Sequence, residues 1–156
     1  DDFLVSKTDA KGRIVYGNRI FIEFSGYSEG EFIGKQHNIV RHPDMPRGVF
    51  KLLWDTIQAK RECFAYVKNL AKDGSYYWVF ANVTPSLDAD GQLDGYFSVR
   101  RKPRQQAVMA VSDLYRLMLE EERNVGTRDA CDASIALLNK VLESKGLDYE
   151  TFILSI

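Results

Sequence analysis

The stretch CFAYVKNLAKDGSYYWVFANVTPSLDADGQLDGYFSV, residues 63–99, decides the fold. Its β-branched and aromatic residues fall into three runs, 64–70, 76–87 and 93–99, parted by Asp73-Gly74 and Asp90-Gly91, dipeptides that readily reverse a chain between antiparallel strands. The pattern predicts a β-meander. Because strand side chains alternate between faces, Asn69 shares a face with Cys63, Ala65 and Val67, while Trp78 and Phe80 oppose Val79, Ala81 and Val83. A two-residue turn at Asp73-Gly74 would put Asn82 on the Asn69 face; a three- or five-residue turn would put Val79, Ala81 and Val83 there. The second is preferred, because small apolar side chains leave room for a bound molecule. Trp78 and Phe80 then form an outer aromatic patch that the C-terminal helices or a second subunit must cover.

Upstream, residues 3–8 and 14–16 are β-prone and flank Asp9-Ala10-Lys11-Gly12, which predicts an N-terminal hairpin. Ile20, Phe21 and Phe24 follow at helical spacing, and Ser28 stands three residues before Glu31 as a capping box. Pro46 suits the first turn of a helix over 47–60, whose Val49, Phe50, Leu53, Trp54 and Ile57 recur at i, i+3/i+4. The order ββ, short helices, one longer helix, then βββ gives an α+β fold: a five-stranded antiparallel sheet with helices on one face. Pro103 closes this domain, 1–103. Residues 104–156 read as a helical appendage of two longer helices and a short one, with Gly126 and Gly146 as stops and Thr127 and Asp148 as caps. The tight connection at Gly126 predicts a helical hairpin, folded on itself or against the sheet.

With 156 residues, 45% apolar and 28% charged, the chain has the profile of a folded globular protein, and its net charge of −1 argues against a dedicated nucleic-acid binder. The basic run Arg100, Arg101, Lys102, Arg104 reads as a solvated strand exit. No apolar stretch approaches the about 20 residues that cross a bilayer, so no membrane insertion is expected of this chain. Cys63 and Cys131 lack any CxxC spacing and read as reduced thiols, which points to the cytoplasm.

Gly26-Tyr27-Ser28-Glu29-Gly30 matches the nucleophile-elbow pattern but follows a helix instead of a strand, so Ser28 reads as a helix cap. His37 and His42 would lie about 140° apart on a helix, which suits no shared metal face; a single one could ligate a haem iron. Asp88-Ala89-Asp90-Gly91 lacks the distal glutamate of a calcium loop, and the standard phosphate-cradling motifs do not occur. The segment HNIVRHPDMP, 37–46, is denser in polar groups than a connector needs. Its plainest structural reading has Asp44 capping the next helix and pairing with Arg41.

Taken together, Tyr16-Gly17-Asn18, Phe24-Ser25-Gly26-Tyr27, the stretch 37–46, Trp54, Val67-Lys68-Asn69, Lys72-Asp73-Gly74, Tyr77-Trp78 and Gly95-Tyr96 are familiar. Residues 3–103 resemble the PAS domain of the bacterial aerotaxis receptor family, flavin-binding redox and oxygen sensors. The resemblance implies a PAS fold and FAD, in preference to FMN or haem, held between sheet and helices. It implies a sensory module and not an enzyme. Asn18, Arg41, His42 and Asp44 match family positions associated with flavin, Arg41 toward the pyrophosphate; Trp54 is a candidate stacking ring, and Asn69 matches the amide set against the isoalloxazine edge. Two departures stand out. Cys63-Phe64-Ala65 replaces the Trp-Ser-Gly of many relatives, and the helical cysteine of light-sensing relatives is replaced here by Arg41 and His42, so no photochemical adduct is expected. The implied partner is a chemotaxis or other signalling protein, or a second copy met through the outer sheet face or the C-terminal helices. A PAS interaction or dimerisation module with another small ligand or none is the alternative, and a haem sensor the third reading.

Overall fold

The computed structural model describes residues 3–156. Five strands, β1 (Leu4–Asp9), β2 (Ile14–Gly17), β3 (Cys63–Leu70), β4 (Tyr76–Leu87) and β5 (Leu93–Arg101), form one antiparallel sheet in the order β2-β1-β5-β4-β3. Each reversal is organised by an aspartate that gathers backbone donors. Asp9 Oδ1 accepts from Lys11 N and Arg13 N, Asp73 Oδ1 from Ser75 N, and Asp88 Oδ1 from Asp90 N and Gln92 N, all at 2.9 Å. Gly74 and Gly91, at φ 89° and 75°, take the left-handed positions these loops require.

The connection from β3 to β4 spans residues 71–75, and its length sets the register: Asn69 opposes Tyr77, Val67 opposes Val79, and Ala65 opposes Ala81. Val79, Ala81 and Val83 therefore share the Asn69 face, as the five-residue alternative required. Over that face lie α1 (Arg19–Ser25), α2 (Glu29–Phe32), a 3-10 turn at His37–Val40 and α3 (Arg47–Gln58). The Ser28–Glu31 box forms, with Ser28 N donating to Glu31 Oε2 at 2.8 Å. Pro46 occupies the N-cap position of α3.

After β5 come α4 (Gln105–Val125), α5 (Ala130–Lys145) and α6 (Tyr149–Ser155). Helix α5 begins three residues beyond the cap expected at Thr127, with Asp129 before it, whereas Asp148 caps α6 by accepting from Thr151 N at 2.7 Å. The α4–α5 pair folds on itself and also wraps the β3 edge. Helix α4 covers the outer aromatic patch: Tyr115 stacks on Trp78 with centroids 6.2 Å apart, and Val111, Leu114 and Met118 join Tyr66 in the main core. Helix α5 returns to pack on α3, on the other side of the sheet.

An edge strand leaves a row of carbonyls without strand partners. Here tyrosines take them, Tyr115 OH donating to Tyr66 O at 2.7 Å and Tyr149 OH to Phe64 O at 2.8 Å. Tyr115→Phe should therefore lower the free energy of unfolding by about 1–2 kcal/mol in a urea titration, the cost of a buried acceptor left without its donor. A chain ending at residue 103 would expose Tyr66, Trp78 and Phe80, and gel filtration should find it self-associated; a monomer as stable as the whole chain would contradict the covering role of α4.

Candidate functional site

The small residues of the inner sheet face stop short of α3, and a cavity of about 700 Å³ remains between them. That volume lies within the usual range for small-molecule sites. Its floor is Val67, Ala81 and Val83; its roof is Phe50, Leu53, Trp54 and Ile57 of α3. Lys11, Arg41, Arg47 and Lys51 stand at its margin, and Ser6, His37, Ser98 and Arg100 form a polar wall.

Three of the residues singled out from the sequence line this cavity: Arg41, Trp54 and Asn69. Arg41 and Asn69 come from different elements and meet through an antiparallel bridge between their backbones. The Arg41 guanidinium then lies over the Phe50 ring, 3.7 Å from its centroid. Trp54 leans on Tyr96 at 5.3 Å, and both rings pack with Cys63 and Ile57. An aromatic wall thus stands beside Cys63, at the point where Cys63-Phe64-Ala65 lacks the tryptophan of many relatives.

Asn18, His42 and Asp44 do not line the cavity. Asn18 caps α1, its Oδ1 accepting from Phe21 N at 2.9 Å and Val5 N at 3.1 Å. The chain is extended at Arg41, so Arg41 and His42 leave it on opposite sides: Arg41, still exposed, borders the cavity, and the half-buried His42 ring meets Tyr76 edge-on outside it. Asp44 neither caps α3 nor pairs with Arg41. It binds Lys68 at 3.0 Å, and that hydrogen bond holds its carboxyl below the usual range.

The polar wall was not assembled from the sequence. Arg100 is not a solvated strand exit: it is 4% exposed and points to the sheet interior. Its Nη2 donates to Ser6 Oγ at 2.7 Å and its Nη1 lies 3.1 Å from His37 Nε2, which Ser6 Oγ also approaches at 2.8 Å. Burial, reinforced by the Arg100 charge, pushes the His37 pKa down to about 3. The neutral ring accepts at Nε2. Burial lowers the Arg100 pKa only to about 10, leaving a cation at neutral pH. Among the described residues, no carboxylate forms a salt bridge with Arg41, Arg47 or Arg100. Arg100 Nε and the neighbouring Tyr77 hydroxyl are buried without hydrogen-bond partners. The signal for Arg100 was its alternation with Tyr96 and Ser98, legible only once the β4–β5 register is known.

This geometry has relatives. The chain is 38% identical over 118 residues to the aerotaxis receptor of Escherichia coli, covering 76% of this chain and 23% of that protein. It is 29% identical over 97 residues to the nitrogen fixation regulatory protein of Klebsiella pneumoniae, 62% of this chain and 20% of that one. The chain thus spans about a quarter or less of the curated relatives it matches. Among solved structures, a Light-Oxygen-Voltage domain described with a flavin analogue superimposes with a TM-score of 0.59 at 21% identity, covering 80% of this chain and 87% of that one. The family model described as the PAS fold matches residues 14–100, the span holding most of the cavity wall, and the chain belongs to that family.

Proposed function

We propose that the cavity holds a flavin and that the chain is the sensory module of a signalling protein, reporting redox state or oxygen by contact and not by catalysis. The observation that carries this reading is the buried Arg100, a cation beside the cavity with Nε unpartnered and, among the described residues, no carboxylate in a salt bridge with it. Such a group is costly unless a ligand supplies an acceptor. The pyrimidine edge of a flavin ring offers carbonyl oxygens of that kind. A flat ring system also suits a slot with small aliphatic residues below and Phe50 and Trp54 above. The cations Arg41, Arg47 and Lys51 at the margin suit a phosphate-bearing tail, and a diphosphate uses more of them than a single phosphate does, which favours FAD over FMN. The resemblance to the aerotaxis receptor supports the same ligand class and a signalling partner. A haem sensor is disfavoured, since His37 Nε2 is engaged by Ser6 and Arg100 and His42 lies outside the cavity.

When bound, the flavin would supply the redox chemistry. The Asn69 carboxamide can present either its oxygen or its NH₂ to a ring edge, so a change in that edge from acceptor to donor would turn or release it. Asn69 sits in β3, and a strain there reaches the surfaces on which partners dock.

Reconstitution with FAD, and separately with FMN, followed by gel filtration tests the site. FAD absorbance should travel with the wild-type protein and be lost from Arg41→Ala, while Asn69→Ala should retain flavin with an altered reduction potential. No retention by wild type, or equal retention by wild type and Arg41→Ala, rejects the assignment.

The cluster also predicts a pH dependence. His37 has a folded-state pKa of about 3 against 6.5 when unfolded, so below 6.5 the unfolded chain binds a proton that the folded one refuses. Stability should fall as pH drops from 6.5 toward 3, by at most about 1.4 kcal/mol per unit from this residue. Urea titrations at successive pH values between 7 and 5 should reveal this slope, and His37→Gln should remove the larger part of it, with His42, whose pKa burial also lowers, contributing the remainder.

A further inference from the structure

Helix α3 serves two neighbours at once. Arg47, Phe50, Lys51 and Trp54 face the cavity, whereas Gly48, Val49 and Leu52 face the appended helices. At the start of α3 the approach is close: a Cβ on Gly48 would lie 2.1 Å from Ser134 Oγ and 3.3 Å from Ile135 Cγ1 of α5. At the same point Glu122 of α4, 8% exposed, places Oε1 3.0 Å from Gly48 N and 2.9 Å from Ser134 Oγ, and both donate to it. A carboxylate there satisfies one of the free N–H groups of the first turn of α3 and lies at the positive end of its dipole. One side chain therefore joins α4, α5 and α3. Beside the junction, Cys131 in the first turn of α5 lines the same cavity as Arg47.

We propose that α5 is a wall of the ligand site and that docking of the α4–α5 hairpin is coupled to ligand binding through α3, with Glu122 as the positioning residue. The proposal rests on the flavin reading and extends it to residues beyond 14–100, the span matched by the family model. If α5 leaves α3, the cavity loses the wall at Cys131 and the turn carrying Arg47 loses its cap. A ligand that favours the closed cavity must then favour the docked hairpin by the same factor, because coupling between two equilibria is reciprocal. The ligand state would be reported outward by how firmly the hairpin is held. A hairpin that merely covers the outer aromatic patch would show no such coupling.

The cysteines supply the test. Cys63 is buried, with its thiol pushed up to about 11 by that burial, and is the internal control for Cys131. With the full chain and FAD as probe, maleimide labelling of Cys131, mapped by mass spectrometry, should slow about tenfold when FAD is bound, within the usual range for coupled sites. Gly48→Ala should speed this labelling and weaken FAD binding by a similar factor. Glu122→Ala should do the same, and Glu122→Gln, which keeps an acceptor oxygen, should recover part of the affinity. Unchanged Cys131 labelling with FAD bound overturns the coupling, as does wild-type FAD affinity in a Gly48→Ala protein whose Cys131 labels faster. A wild-type chain that retains no FAD removes the flavin reading and this inference with it, whereas retention without Cys131 protection removes this inference alone. Should Gly48→Ala fail to fold, the FAD affinities of Glu122→Ala and Glu122→Gln decide, since direct shielding of Cys131 by bound FAD would leave both at the wild-type value.

Discussion

The alternation of side-chain size along β3 and β4 is the constraint on which the rest of the molecule depends. With Ala65 opposite Ala81 and Val67 opposite Val79, the inward face is too shallow to reach α3, and a hollow remains. The same alternation sends Phe64, Tyr66, Trp78 and Phe80 outward, where water would meet four adjacent rings. Burying a large apolar side chain contributes about 1.5–3 kcal/mol, so these rings strongly favour a cover. One register creates both the cavity and the need for the appended helices. A slip by a single residue would exchange the two faces and abolish both.

The cover then solves a second problem. As the edge strand, β3 would leave carbonyls without strand partners, and hydroxyls from α4 and α6 take two of them at Phe64 and Tyr66. Because the hairpin must reach around this edge, α5 lands on α3 and meets the roof of the cavity from behind. Hydrophobic covering of the outer face and access to the inner site thus become properties of the same helices. The polar wall is the counterweight. Arg100 is held by Ser6, by a neutral His37 and by the Phe21 ring 5.3 Å away, partners that orient a cation without cancelling it.

Much of the architecture was legible in particular residues. Asp9, Asp73-Gly74 and Asp90-Gly91 announced the turns in which they stand, Ser28 with Glu31 announced a helix start, and Gly146 announced a stop that it makes at φ 66°. These are local interactions, closed within a few residues of chain, and so they can be read from spacing. The site was legible in part. Arg41, Trp54 and Asn69 were singled out and line one cavity, but Asn18 serves a helix cap, His42 packs on Tyr76 outside the cavity, and Asp44 binds Lys68 at the surface. Neighbours in an extended segment point opposite ways, so a motif that names adjacent residues together cannot by itself say which of them faces inward.

The sequence by itself determined the α+β order of elements, the meander and its turns, the limits of the helices to within a few residues, and the division into small and aromatic alternants. Only the tertiary structure decided that Arg100 is an interior cation, that Lys68 and not Arg41 takes Asp44, and that Glu122 joins α4 and α5 to α3. The reason is separation along the chain. Gly48 and Glu122 stand 74 residues apart and Ser6 and Arg100 stand 94 apart, so their meeting depends on how whole elements pack and leaves no periodic trace in the residues between them.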